Sequence, residues 1–443
     1  MRYRSCYPVF LAVLMGALLP VSAQEEYSST TEAAAPASES SFSLQTTTTE
    51  VVEADVEESP GFFFQGGYGY LPELVSSLGE GVDLLPPIDF DVTVKQGYND
   101  NVYSRADKKG SFTTEMTLGV NVLLSRARTF LNLSARAGGV YYWSEARRPL
   151  VPRGDLSLSY AYKLTPRLTF TARVSAGYYD QPNLTIPNTT VLINGGDYFI
   201  GTSLFDLTYR WTPLFSTTTS LQLGTQLYRE SRSQSSDYFS FTIGQVFRYI
   251  YSPVLSGVLD LRYGETYFDD STRNSQSEYI LLGADYRWTS RLSASLRGGV
   301  QLRQYDLAGT RDVASPYFEA SLGYRYGRGS FLHWVSSFGF EQGYVSQQSN
   351  QSLRTGLYIT QVLTPRINGR IGGSYSFQIL EGLAQQSYTY HQHLITGTAG
   401  LDFVVSRAVT LFANYDISSV IYEQQRSADY VRNQVSVGAR FRF

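Results

Sequence analysis

The sequence predicts an all-β protein, a transmembrane antiparallel β-barrel of about 18 strands with short periplasmic turns and long extracellular loops. Three observations predict this fold: recurring short turns, segments of alternating apolar and polar residues, and a composition rich in Tyr and Gly. The chain has 443 residues, of which 35 are Tyr, 38 are Gly and only 17% are charged. Beyond residue 23, no run approaches the roughly 18 apolar residues of a spanning helix. A helical membrane protein is therefore excluded.

Short turns of similar composition recur about every 40 residues along the chain. Eight of them are present, at Ser125-Arg126, Thr165-Pro166, Thr212-Pro213, Ser252-Pro253, Thr289-Ser290, Gly327-Arg328, Thr364-Pro365 and Ser406-Arg407. Ser, Thr and Pro favour tight turns. Between successive turns lie two alternating segments joined by a longer polar loop, of which 180–195 is the longest. Each period therefore corresponds to one β-hairpin.

The alternating segments run to about a dozen residues, whereas strands of soluble proteins usually have about five or six. In one of them, Phe170, Val174 and Tyr178 share an apolar face, and Arg173 lies on the opposite face. Long strands with one apolar and one polar face are typical of membrane barrels. Aromatic residues at the strand ends predict interfacial girdles, formed by Trp211, Trp288 and Trp334 near the short turns and Tyr141, Tyr142, Trp143, Tyr178 and Tyr179 near the long loops.

Eight short turns define sixteen strands, and one further strand is predicted at each end, over 88–98 and 431–443. The total of eighteen agrees with the even strand number of bacterial barrels. Both ends of the predicted barrel, 88–443, then lie on the periplasmic side.

The N-terminal part of the chain is predicted to be an export signal followed by a non-barrel segment. Residues 1–23 have a basic start, an apolar stretch over 9–19 and a cleavage site after Ala23. An uncleaved anchor is the alternative. Cys6, the only cysteine, lies in this signal, so the mature chain is predicted to have no disulfide and no Cys-based metal or redox site.

Residues 24–60 are acidic and rich in Ser and Thr, without Lys or Arg, which predicts a disordered periplasmic segment. A specific binding tail is the alternative. Residues 61–87 are predicted to form an extra strand or a plug in the lumen, and Pro86 and Pro87 break the chain before the first strand.

The C-terminal strand carries a resemblance to known families. It alternates up to Phe441 and the final Phe443, and a terminal Phe in this position resembles the signal read by the outer-membrane barrel-assembly machinery. The stretch 97–103 also resembles the start of Gram-negative outer-membrane β-barrel porin families. The resemblance implies a location in the cell outer membrane, with the lipid bilayer and the assembly machinery as partners. It does not extend to particular substrates.

A barrel of this strand number is wide enough for an aqueous channel unless something fills it. Alternation predicts more bases than acids on the inward face, so an open lumen would favour small polar or anionic solutes. The alternative is that these charges pair across neighbouring strands. The predicted lumen-lining residues are Arg136, Arg173, Arg210, Arg262, Arg297, Arg303, Arg325, Arg354, Arg370, Glu115, Asp260 and Glu319.

The sequence favours a non-enzyme without cofactor or metal. His333 is predicted near the periplasmic rim, and His391 and His393 near the outer rim, so they do not assemble with Ser and an acid as hydrolysis requires. His391 and His393 share a face but lack a third metal ligand nearby. The formal net charge of −3 does not indicate nucleic-acid binding, which a strongly basic chain would suggest.

The predicted function is a porin-like channel for passive or weakly selective diffusion. The alternative is a non-conducting barrel, either an adhesin or binding protein or a component of polysaccharide secretion. Porins often form homo-oligomers, and the sequence leaves the oligomeric state open.

Overall fold

The computed structural model describes residues 88–443 except 145–148, 180–196, 230–236, 270, 307–311, 342–347, 383–388 and 425–428. The predicted signal peptide 1–23, the acidic segment 24–60, the segment 61–87 and the loop 180–195 lie outside the described residues. The part of the chain that is described contains long β-strands and one short 3₁₀ helix, Ser271–Arg273. In these ranges, no helix is long and apolar enough to cross a bilayer.

Eighteen strands form a single antiparallel sheet in which each strand pairs with its neighbours in sequence. The strands are β1 Ile88–Asn99, β2 Ser111–Ser125, β3 Thr129–Tyr142, β4 Leu150–Lys163, β5 Leu168–Tyr179, β6 Tyr198–Arg210, β7 Phe215–Tyr228, β8 Tyr238–Ser252, β9 Leu255–Phe268, β10 Ser275–Thr289, β11 Leu292–Tyr305, β12 Val313–Gly327, β13 Ser330–Glu341, β14 Gln348–Thr364, β15 Ile367–Gly382, β16 Thr389–Ser406, β17 Val409–Tyr422 and β18 Tyr430–Arg442.

The sheet closes on itself because β1 also pairs with β18, in a register that runs from Asp91 opposite Arg442 to Asn99 opposite Gln434. The closed sheet has no free edge strand, which satisfies the backbone hydrogen bonds along its whole circumference. The prediction of an eighteen-stranded barrel is confirmed. The first strand extends one residue further than predicted, and the last one covers Tyr430–Arg442.

All eight predicted short turns are present and join consecutive strands. The Ser and Thr side chains of these turns accept hydrogen bonds from backbone N–H groups within the same turn. The hydroxyl of Thr165 accepts the backbone N–H groups of Arg167 and Leu168 at 3.2 and 3.0 Å. Thr364 accepts those of Arg366 and Ile367 at 3.3 and 3.0 Å. The β12–β13 turn instead uses Gly329 at a φ of 71°, a conformation that glycine adopts without strain.

The two faces of the sheet differ as the alternation predicts. Large apolar side chains such as Leu118, Ile280, Leu282 and Ile371 are exposed on the outer face. Their neighbours in each strand point inward, since successive side chains of a strand point to opposite faces. An exposed apolar band around a closed barrel is the surface that contacts lipid in outer-membrane barrels.

Outward aromatic pairs flank several short turns, including Tyr209 with Trp211 and Tyr286 with Trp288. The prediction of an aromatic girdle near the long loops is wrong for two of its residues. Tyr142 and Tyr179 point to the inner face and are buried, because each follows an outward-facing tyrosine by a single residue.

Candidate functional site: the inner wall of the barrel

Ion pairs across strands neutralise the middle of the inner wall. Arg173 of β5 lies 3.5 Å from Asp206 of β6. Arg248 lies 2.8 Å from Asp285, two strands away. These pairs agree with the alternative that inward charges satisfy one another. They also leave less charge available to a passing solute than a count of residues suggests.

Two further pairings follow the same principle. Glu115 of β2 contacts both Lys95 of β1 at 2.5 Å and Arg153 of β4 at 3.2 Å. Arg370 of β15 lies 3.2 Å from Asp402 of β16. In the register of β3 and β4, Arg136 stands opposite Asp155.

A denser group of charges, the β9–β12 cluster, consists of Asp260, Arg262, Arg297 and Glu319. Arg262 contacts Asp260 at 2.5 Å and Glu319 at 2.9 Å. Arg297 contacts Glu319 at 3.1 Å and Asp260 at 3.6 Å. Each guanidinium is thus shared by both carboxylates. A buried network of this kind requires all its members, because removing one leaves an uncompensated charge.

Aromatic and amide side chains cover this cluster. The hydroxyl of Tyr317 donates to Glu319 at 3.1 Å, and its ring packs edge-on against Tyr279. Gln301 donates to the Tyr279 hydroxyl at 2.8 Å and accepts the backbone N–H of Phe340 at 2.8 Å. The side chain of β13 residue Phe340 in turn lies 5.7 Å from the guanidinium of Arg303.

Because of this cover, several predicted lumen-lining residues lie on the inner wall but are hidden from solvent. Asp260 is 0% exposed, Arg297 is 2% exposed, and Arg262, Arg303 and Glu319 are also buried. Arg354, whose Nε donates to Ser352 at 3.3 Å, is buried as well. Charge that is accessible from the lumen therefore lies elsewhere on the wall.

Packed aromatic and apolar side chains line two parts of the inner wall at its extracellular end. Tyr179, Tyr198 and Tyr228, at the ends of β5, β6 and β7, form one buried cluster with ring centroids 5.9 and 5.8 Å apart. Leu394, Val420 and Tyr430 form a second cluster on β16, β17 and β18. These two parts of the wall contribute packing, whereas Arg303 and Arg432 place charge at the same end.

The periplasmic end is strongly basic, and we call it the periplasmic rim. It comprises the short turns and the inward positions within two residues of a strand end. Among the residues described there, Asp89 is the single acidic side chain. The bases are seven exposed turn arginines, Arg126, Arg128, Arg167, Arg291, Arg328, Arg366 and Arg407, and the inward-facing Lys163, Arg210, Arg287, Arg325, Arg440 and Arg442.

Away from the rim, the inner face of the strands is nearly balanced, so the excess of positive charge is concentrated at one end of the barrel. Among the side chains that the structure describes, the eleven inward bases there are Lys95, Arg136, Arg153, Arg173, Arg248, Arg262, Arg297, Arg303, Arg354, Arg370 and Arg432, and the nine inward acids are Asp91, Glu115, Asp155, Asp206, Asp260, Asp285, Glu319, Asp402 and Asp416. Among the predicted residues, Arg210 and Arg325 are exposed at the rim.

The stretch that follows β1 has a role that the sequence did not reveal. Asp100 accepts hydrogen bonds from the backbone N–H and the side-chain amide of Asn433 at 2.6 and 2.8 Å. Asn101 donates to the backbone carbonyl oxygens of Arg105 and Val431 at 2.6 and 3.3 Å. These contacts join the end of β1 to the start of β18, where the barrel closes.

The histidines are separated as predicted. His333 faces inward near the periplasmic start of β13. His391 and His393 point outward near the extracellular ends of the strands and contact Glu423 at 2.7 and 3.0 Å. Hydrogen bonds from His393 and His391 lower the pKa of Glu423. Within the described ranges, no group of three or more His, Cys, Asp or Glu side chains is placed to hold a metal ion.

A closed eighteen-stranded antiparallel barrel with an apolar outer band and a charged inner wall defines an outer-membrane β-barrel protein. No protein-family model matches the chain, and no curated protein matches it.

Solved structures of outer-membrane channels are similar to the chain. One is Pseudomonas aeruginosa OpdK with vanillate, at 9% identity and a TM-score of 0.45, covering 80% of this chain and 99% of that one. Another is Pseudomonas aeruginosa OccK3 (OpdO), at 12% identity and a TM-score of 0.41, covering 80% and 95%. A third is Acinetobacter baumannii OccAB4, at 10% identity and a TM-score of 0.39, covering 81% and 99%. At these identities the similarity concerns the fold alone.

Proposed function

We propose that the protein is a porin-like channel for passive or weakly selective diffusion of small polar or anionic solutes across the outer membrane. The observation that carries this proposal is the periplasmic rim, where the described residues include thirteen basic side chains and one acidic side chain. Fixed positive charge at a pore mouth raises the local concentration of anions. Arginine keeps its charge at any physiological pH and binds carboxylate or phosphate in a planar fork.

The exposed inward members of the rim are the residues that would contact the solute. Arg210, Arg287 and Arg325 end or nearly end the even-numbered strands β6, β10 and β12, and all three are exposed. The ion-paired middle of the wall offers hydrogen-bonding groups with little net charge. Weak selectivity follows from this arrangement, since a solute meets a strong field only at one end.

A specific observation favours the alternative of a non-conducting barrel. The inner wall of β9–β12 is covered by Tyr279, Tyr317 and Gln301, and tyrosines are packed at the extracellular end of β5–β7. A barrel filled in this way would act through its loops, as an adhesin, a binding protein or a component of polysaccharide secretion.

Conductance in a planar bilayer separates the two functions. The purified, detergent-folded protein is added to one side of the bilayer, and its heat-modifiable mobility on gels confirms that the barrel is intact. Steady single-channel steps support the channel. Folded barrel that inserts without any step contradicts it and supports the non-conducting alternative.

We also propose that Phe441 and Phe443 serve as the signal for the barrel-assembly machinery. Phe441 and Phe443 are exposed on the outer side, and the backbone of Phe443 pairs with that of Phe90. Replacing both by Ala should slow assembly in cells while leaving detergent refolding unchanged.

A further inference from the structure

Two neighbouring hairpins of the periplasmic rim combine outward aromatic rings with exposed arginines. In the β10–β11 hairpin, Tyr286 and Trp288 face outward and are followed by Arg291 in the turn. The β12–β13 hairpin repeats this order with Tyr324, Tyr326 and Arg328. We call these six residues the rim patch.

The backbone holds the two halves of the rim patch close together. The N–H of Arg325 donates to the carbonyl oxygen of Arg291 at 2.7 Å, which joins the two hairpins at the level of the turns. The N–H of Arg291 also donates to the Thr289 hydroxyl at 3.1 Å. The position of Arg291 is therefore fixed by its own turn and by the neighbouring strand.

The charged side chains in and beside the rim patch are all basic. The residues from Tyr286 to Leu292 and from Tyr324 to Ser330 contain four arginines and no acidic residue. Arg287 and Arg325 point inward, whereas Arg291 and Arg328 lie in the exposed turns. An anionic group outside the barrel would therefore meet positive charge, and no carboxylate from these two stretches of chain would repel it.

The aromatic rings indicate what kind of anion this is. Trp288 is 65% exposed, and Tyr286 and Tyr324 are exposed as well. Exposed Trp and Tyr at the end of a membrane strand lie at the level of the lipid headgroups. Arg291 follows Trp288 by three residues, which places its guanidinium in the headgroup layer, where basic residues attract anionic lipids.

We propose that the rim patch binds the phosphate of an anionic phospholipid in the inner leaflet of the outer membrane. The phosphate contacts Arg291 and Arg328, and the glycerol and upper acyl chains pack against Trp288 and Tyr324. Lipid binding is counted directly in the test below, so its outcome does not depend on whether the barrel conducts.

The test uses the full-length protein in detergent with phosphatidylglycerol or phosphatidylcholine, and counts the retained lipid by native mass spectrometry. The double variant Arg291→Gln/Arg328→Gln should weaken phosphatidylglycerol binding roughly 10- to 30-fold, from the effect of two arginines near a membrane surface. The matched control is Arg366→Gln/Arg407→Gln, which removes the same charge from two neighbouring turns, β14–β15 and β16–β17, where the exposed residues before the turn are Leu363 and Val405 rather than Tyr or Trp. This control should change binding less than about twofold on the same scale.

A second measurement, fluorescence quenching, locates the bound lipid relative to Trp288. In a variant that keeps only Trp288 of the four tryptophans, brominated phosphatidylglycerol should quench fluorescence more strongly than brominated phosphatidylcholine. Equal retention or equal quenching by the two lipids would overturn the proposal, as would an equal loss in the control variant. Displacement of the lipid by millimolar inorganic phosphate would identify a site for free anions instead. Heat-modifiable mobility verifies that each variant is folded.

Discussion

Replacing Asp100 by Ala should weaken the closure of the barrel between β1 and β18. Asp100 accepts two hydrogen bonds from Asn433, at 2.6 Å from its backbone and 2.8 Å from its side chain. Hydrogen bonds to a charged group contribute about 1.5–3 kcal/mol each. The side chain of Asp100 is 24% exposed, so water replaces part of this, and we expect a loss of about 2–3 kcal/mol in total.

Lys108 adds little to this loss. Its Nζ lies 3.4 Å from Asp100, but its side chain is 49% exposed, and exposed ion pairs contribute about 0–1 kcal/mol. Lys108→Ala is therefore the matched control for Asp100→Ala. The assay is reversible urea unfolding in lipid vesicles, followed by tryptophan fluorescence. A loss below about 0.5 kcal/mol for Asp100→Ala, or an equal loss for both variants, would refute the role of Asp100 in closure.

The same contacts predict a pH dependence. Burial alone would raise the pKa of Asp100, but the hydrogen bonds from Asn433 and the charge of Lys108 outweigh it and lower the pKa. The stabilisation is therefore present above the unfolded value of 3.8 and is lost as pH falls through the lower folded value. Asp100→Ala should lose this part of the acid sensitivity.

Three other changes have defined outcomes. Glu319→Ala leaves Arg262 and Arg297 with one carboxylate and should cost about 3–5 kcal/mol in urea unfolding, and a loss below 1 kcal/mol would contradict the network. Gly329→Ala should cost about 1–2 kcal/mol because of its φ of 71° and the approach of the added Cβ to Val362 Cγ2 at 2.9 Å, unlike the control Gly298→Ala, whose added Cβ meets no atom closer than 3.9 Å. Burial raises the pKa of Asp237 to about 6, so hydrogen exchange in 220–229, corrected for intrinsic rates, should show local stability falling from about pH 4 to pH 6. Asp237→Asn should abolish that change, and an unchanged profile would contradict it.

The turns and the alternation could be predicted because both are local. A Ser or Thr hydroxyl accepts N–H groups two and three residues later, as Thr165 does, so the signal lies within four residues. Side-chain direction has a period of two, so the inner face follows once one residue is assigned. The exception was consecutive tyrosines, where Tyr142 and Tyr179 alternate away from the girdle.

The contacts on the inner wall of β9–β12 and at the barrel closure could not be predicted, because they join distant parts of the chain. Glu319 meets Arg262 across 57 residues and three strands, which requires the accumulated register of every intervening pair. Asp100 meets Asn433 across 333 residues, which requires closure of the whole barrel. The basic rim was not predicted either, although its turn arginines are a local feature, because the sequence analysis counted charges along the whole inner face rather than at one end.

The reversal potential under a salt gradient tests the channel and its charge asymmetry most directly. Wild-type protein is compared with the triple variant Arg210→Gln/Arg287→Gln/Arg325→Gln in a planar bilayer. We expect a reversal potential that favours anions in the wild type, a current that differs between the two voltage polarities, and a marked reduction of both in the variant. Identical potentials and symmetric currents in the two proteins would contradict the role of the periplasmic rim, and the absence of any current would contradict the channel itself.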